Sequence, residues 1–148
     1  MCKLSAQNVA NYFLSLPDEE SGDSISNLKL QKLCYYAQGF YLAFFDKPLF
    51  DDQIEAWQHG PVIKSLYHEY KEHGAMGIPS IDKLDLSIYP KRVSELLNEI
   101  YKLYGQYSAW RLRQLTHREP PWREAYDRGG AVISHKSMKD YFKTLIVK

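Results

Sequence analysis

"LKLQKLCYYAQGFYLAFF", residues 28–45, is the stretch on which the fold turns. Leu30, Leu33, Ala37, Phe40, Tyr41 and Phe44 recur at three- and four-residue intervals, which lays them along one face of an α-helix. Tyr36 and Phe45 widen that stripe almost to the full circumference. A helix that is apolar nearly all round must be covered on most sides, so this one is expected at the centre of the molecule. Ser26 stands before it as an N-cap, with Ile25 and Leu30 placed as a hydrophobic staple.

On the amino-terminal side, Ser5 reads as another N-cap, with Leu4 and Val9 as its staple. Val9, Ala10, Phe13 and Leu16 keep helical spacing until Pro17, and "PDEESGDS", residues 17–24, reads as a polar, acidic loop. On the other side, "KPLFDDQIEAW", residues 47–57, breaks the helical period. Ile54, Ala56 and Trp57 predict a short strand, with Ala131–Ile133 as its expected partner. "HGPVIKSLYHEYKEHG", residues 59–74, predicts a helix with Gly60 at the cap, Pro61 at the first helical position and Gly74 closing it. Val62, Ile63, Leu66, Tyr67 and Tyr70 form its inward face. Residues 75–88 read as a loop. A long helix is expected from about Tyr89 to Gly105, with Val93, Leu96, Leu97, Ile100 and Tyr104 inward.

Ser108 caps a helix that carries Leu112 and Leu115 toward the core. A residue before proline avoids helical backbone, so Glu119 must be extended and this helix stops near His117. Pro121 opens a short helical turn containing Trp122, Ala125 and Tyr126. Gly129 and Gly130 form a turn, and Ser134 caps a final helix with Met138, Tyr141 and Phe142. The expectation is a mainly α, compact single domain over residues 1–148. It is a bundle of about six helices around an aromatic-rich central one, with a short two-stranded β ribbon.

Composition narrows the function classes. The 45% hydrophobic content suits a globular chain, and no run approaches the ~18 apolar residues of a membrane span. The opening "MCKLSAQNVANYF" lacks the apolar stretch and cleavage site of an export signal, so a cytoplasmic location and no membrane partner are expected. Cys2 and Cys34 make neither a disulfide framework nor a CxxC zinc motif; they read as a loose terminal thiol and a buried one. Charge is uneven: residues 1–107 carry ten basic against fourteen acidic side chains, residues 108–148 nine against four. The basic segment hints at an anionic partner. Twelve Tyr, six Phe and three Trp supply stiff contact area, suited to binding surfaces and to well-filled helical cores.

Candidate chemistry is sparse. His68 and His73 are five apart, whereas two ligands on one helical face want a spacing of three or four, so no metal is expected. There is no nucleophile elbow and no glycine-rich phosphate loop. His59, at the start of the predicted helix, reads as an ordinary helix start in preference to an anion site. "LTHREPPW", residues 115–122, allows three readings. His117 and Glu119 could act as base and orienter. Arg111, Arg113, Arg118 and Arg123 could grip nucleic-acid phosphates. In the third, favoured reading, Thr116 and His117 satisfy terminal carbonyls, the prolines enforce a corner and Trp122 plugs the core.

Three motifs, "LKLQKLCYYAQGFYLA", "IEAWQHGPVIKSLYHEYKEHG" and "LTHREPPWREA", stand in an order and spacing that resembles the Panacea domain, the SocA-like antitoxin family associated with phage and mobile elements. The resemblance runs from about Ser5 to the last helix. It implies an antitoxin that neutralises a cognate protein toxin by direct contact, without catalysis or cofactor. Some relatives act as adaptors that hand the toxin to a cytosolic protease. Relatives with an appended DNA-binding domain exist, and 148 residues leave no room for one, so the nucleic-acid alternative falls to the basic carboxy-terminal segment.

The family's motif maps onto Leu30, Gln31, Lys32, Leu33, Tyr35, Ala37, Gln38, Gly39, Trp57, Gly60, Pro61, Tyr67, Thr116, His117, Glu119, Pro121 and Trp122. Most of these are explained by packing and corners. Gln31, Lys32, Gln38, His117 and Glu119 are polar, and two roles are open to them: a buried hydrogen-bond network, which is favoured, or the lining of an interaction groove. Tyr107, Trp110 and Arg111 are the candidate contacts to the partner.

Overall fold

The structure is a computed structural model that describes residues 4–17, 24–74 and 76–146. Cys2 and most of the acidic 17–24 stretch lie outside the described residues. The Ser5 hydroxyl caps α1 (Ala6–Leu14) by accepting from the Asn8 amide, and the Asn8 side chain accepts in return from the Ser5 N–H at 2.9 Å. The Ser26 hydroxyl accepts from the Lys29 N–H at 3.2 Å and opens α2 (Asn27–Phe45). Residues 30–39 of α2 are buried without interruption. Around it pack α1, α3 (Lys64–Tyr70), α4 (Lys91–Tyr104), α5 (Ala109–His117) and α7 (His135–Ile146). The near-circumferential apolar pattern therefore does mark the central helix. Phe44 departs from the expected stripe: it is 53% exposed, stacked on Phe40 where α2 runs out beyond its cover.

The described residues hold seven α-helices. The one beyond the expected six is α6 (Pro120–Asp127), which extends the short helical turn expected at Pro121 to eight residues. Its pre-proline Glu119 is extended, at φ −90° and ψ 135°, as the residue before proline should be. Ser108 and Ser134 cap α5 and α7 by accepting from the N–H groups of Arg111 and Ser137.

The larger correction concerns residues 59–74. Gly60–Val62 is not the start of a helix but strand β3, paired antiparallel with β2 (Glu55–Trp57) across a Gln58-His59 turn; α3 begins only at Lys64. Gly60 takes φ +112°, which the hairpin needs and L side chains avoid. Pro61 is tolerated because a two-stranded ribbon asks little of its missing N–H. His59 thus sits exposed on a hairpin turn, and no helix N-terminus is there. The expected link to Ala131–Ile133 is present on the other side of β2. The Ala56 N–H donates to the Ala131 carbonyl at 3.1 Å, and the Ile133 N–H to the Ile54 carbonyl at 2.7 Å. Within the expected 75–88 loop, β4 (Gly77–Ile78) pairs with β1 (Ile25–Ser26), and Leu86–Ile88 forms a 3-10 turn.

Closest approach within the core is between α2 and α7. A Cβ on Gly39 would lie 2.6 Å from Phe142 Cζ and nearer still to two other atoms of that ring. Phe142 is wholly buried against the rings of Tyr35, Tyr36 and Phe40. Cys34, on the same helix, is also fully buried, and burial pushes its thiol up. Among the described residues no helix is long and apolar enough to cross a membrane.

Candidate functional site

Four polar side chains of α2 organise the segments that cover it. The Gln38 Nε2 donates to the Phe50 carbonyl at 2.7 Å and its Oε1 accepts from the Leu49 N–H at 2.7 Å, which ties down the chain leaving α2. The Gln31 Oε1 accepts from the Ile63 N–H at 2.8 Å, and its Nε2 donates to Asn27 Oδ1 at 2.9 Å. Asn27 in turn donates to the Tyr67 carbonyl at 3.2 Å. These bonds fasten α3, which has no side-chain N-cap, to α2. Lys32, wholly buried, donates from Nζ to the Pro61 carbonyl at 3.3 Å. Burial, helped by the nearby Arg113 cation, brings its ammonium down to about 7.

Gly60 lies against this lysine: a Cβ there would stand 2.5 Å from Lys32 Cε and 3.0 Å from Thr116 Oγ1. Backbone strain and crowding add, so Gly60→Ala should lower stability by about 2–3 kcal/mol in chemical denaturation. An unchanged midpoint would mean that the hairpin is not built this way.

At the corner between α5 and α6, each Glu119 oxygen accepts one tyrosine hydroxyl: Oε1 from Tyr35 at 2.9 Å, Oε2 from Tyr36 at 2.8 Å. The carboxyl is 7% exposed. Burial lifts it to about 7, against the opposing pull of its two hydrogen bonds. Trp122 donates from Nε1 to the Trp57 carbonyl at 2.8 Å, locking α6 to β2. Its ring is stacked between His117, at 4.1 Å, and Tyr126, at 4.6 Å.

The roles assigned to Thr116 and His117 need correcting in detail. Thr116 donates within its own helix to the Arg113 carbonyl at 3.0 Å. The His117 Nε2 is buried without a hydrogen-bond partner, and burial and Arg113 hold its imidazole below the usual histidine range. Helix termination does not use either side chain on a terminal carbonyl. No hydrogen bond joins His117 to Glu119, whose oxygens are both held by tyrosines, so the base-and-orienter pair is not assembled.

Next to this scaffold, α2, α3, α5 and the β2–β3 ribbon border a half-open cavity of about 490 Å³. Leu28, Trp57, Val62, Tyr67 and Trp110 form its walls; Gln31, His59, Lys71 and Arg113 supply polar atoms. Trp110 is 59% exposed, with the Arg113 guanidinium 4.6 Å from its ring centroid. The other two candidate contacts lie elsewhere: Tyr107 tilts against Tyr104 at 6.5 Å, and Arg111 points to Gln114 at 3.5 Å. Arg113 was not among the expected contacts. The signal was its spacing of three from Trp110, which puts both on one helical face. The arginines of the corner separate accordingly, since Arg123 reaches the Arg118 carbonyl at 3.5 Å while Arg113 turns into the cavity.

The sequence profile described as "Antitoxin SocA-like, Panacea domain" matches residues 30–123, a span that holds α2, the ribbon and the corner. Antitoxin SocA of Caulobacter vibrioides (strain NA1000 / CB15N) is 31% identical over 137 residues, covering 80% of this chain and 72% of that protein. No solved structure matches.

Proposed function

Since the chain belongs to the SocA-like, Panacea-domain antitoxin family, we propose that it neutralises a cognate protein toxin by binding it directly, as one domain and without turnover. The observation that carries this reading is the fate of the polar motif residues. Gln31, Lys32, Gln38 and Glu119 are buried and committed to internal partners, which leaves them holding a shape. Beside them stands a surface built for contact, aromatic and cationic.

The test is genetic and then biochemical. Expression of the neighbouring reading frame alone should stop growth, co-expression with this chain should restore it, and the two proteins should co-purify. Growth that stays arrested under co-expression overturns the proposal. Toxin lifetime in the rescued cells then separates two routes. A shortened lifetime supports delivery to a cytosolic protease; an unchanged one supports occlusion.

A further inference from the structure

The cavity beside Trp110 carries unneutralised positive charge. Arg113 has a buried Nε with no hydrogen-bond partner, and among the described residues it forms no ion pair. His59 and Lys71 are on the same lining, and no aspartate or glutamate is among the described residues that line it. A buried guanidinium nitrogen without an acceptor is costly, and no carboxylate among the described residues offsets the charge of this side chain beside the cavity.

The walls specify what else the ligand carries. Trp57 and Tyr67 meet edge to face at 5.0 Å, and the half-exposed Trp110 carries the Arg113 guanidinium over its ring. Aromatic walls of this kind take an apolar or aromatic side chain, while the arginine fork takes a carboxylate. A volume of about 490 Å³ holds one or two side chains, not a surface-wide backbone. Arg111, Arg118 and Arg123 do not line it, so the spread of cations that a phosphate backbone requires is missing there.

We infer that this cavity receives an acidic side chain presented next to an aromatic one on a segment of the bound protein, with Arg113 as the carboxylate receptor and Trp110 as the stacking platform. That the segment belongs to the toxin rests on the function proposed above. The chemical preference of the cavity does not, and it is measurable without any toxin.

The experiment is an NMR titration of the full chain that follows the indole N–H resonances of Trp57 and Trp110. The probes are acetyl-Asp-Phe-amide, acetyl-Asn-Phe-amide and a short oligothymidylate. The Asp peptide should move both resonances and bind at least about tenfold more tightly than the Asn peptide. Arg113→Met should erase that difference, and Trp110→Ala, at an exposed position, should weaken both peptides. Immobile resonances at millimolar peptide, equal binding of the two peptides, an Arg113→Met chain that keeps the preference, or displacement of the peptide by the oligonucleotide would each overturn the inference. An Arg113→Met chain that loses the preference yet neutralises the toxin as well as wild type would overturn the identity of the occupant alone. Loss of growth rescue by wild type, with the peptide preference intact, would count against the proposed function and not against the cavity.

Discussion

Gly39→Ala should cost about 3 kcal/mol of stability and lower the melting temperature by roughly 10 °C. The added methyl meets the edge of the Phe142 ring, and that ring has nowhere to go. Phe142 is wholly buried, with Tyr35 at 5.5 Å, Phe40 at 4.8 Å and Tyr141 at 5.2 Å between ring centroids. Either α2 and α7 move apart, which opens voids along both, or the ring leaves its rotamer. Phe142→Ala alone should cost about 3–5 kcal/mol, because it empties a site the surrounding rings cannot fill. The informative measurement is the double variant in urea. With the ring gone the methyl has space, so Gly39→Ala/Phe142→Ala should be more stable than the sum of the single losses predicts, by about 1–3 kcal/mol. Strict additivity would show that the two helices do not approach through these residues.

Glu119→Ala should be comparably damaging, at about 3–5 kcal/mol, because it removes the acceptors of two buried hydroxyls at once. Glu119→Gln keeps one acceptor and most of the volume, and should cost about 1–2 kcal/mol. The pair of variants also isolates a pH effect. The Glu119 carboxyl, ordinarily at 4.5, lies at about 7 in the folded chain. Between those values the folded state binds the proton and the unfolded state does not. The resulting stabilisation is fully present below about pH 4.5 and is lost as pH rises through about 7, on the order of 3 kcal/mol. Lys32 has the opposite sign and a different window. Its folded value of about 7 lies below the ordinary 10.5, so folding expels its proton and stability grows as pH rises from about 7 toward 10.5. Wild type minus Glu119→Gln, measured by denaturation from pH 4.5 to 8, should therefore fall with pH. A flat difference would mean that the carboxyl is not buried against the tyrosines.

How far these features could be read from the sequence depended on distance along the chain. The caps at Ser5, Ser26, Ser108 and Ser134 and the periodicity of residues 28–45 are local signals, and each placed its helix correctly. The extended Glu119 followed from the proline after it. Gly60-Pro61 misled because the same dipeptide starts helices and lines hairpins. The choice is made by Lys32 and Gln31, about a helix-length away in sequence, which take the Pro61 carbonyl and the Ile63 N–H. The polarity of Glu119 marked it as unusual, but nothing near it in sequence names Tyr35 and Tyr36 as its partners. By sequence Arg113 groups with Arg111, Arg118 and Arg123 as a phosphate contact, because its separate place beside Trp57 and Tyr67 depends on elements distant in sequence. The β1–β4 ribbon, two residues per strand, is too short to leave a pattern.

The dependence of α2 on α7 bears on how the chain comes off the ribosome. The helix that forms the hub is made early, yet its most extensive neighbour, α7, follows every other described helix in the chain. Until residues 135–146 emerge, the aromatic flank around Gly39 has no cover, and the nascent chain carries an apolar strip of the sort that chaperones and proteases bind. Non-local closure of this kind is slow compared with forming the helices themselves. Docking of α7 is therefore the step that withdraws that strip from capture.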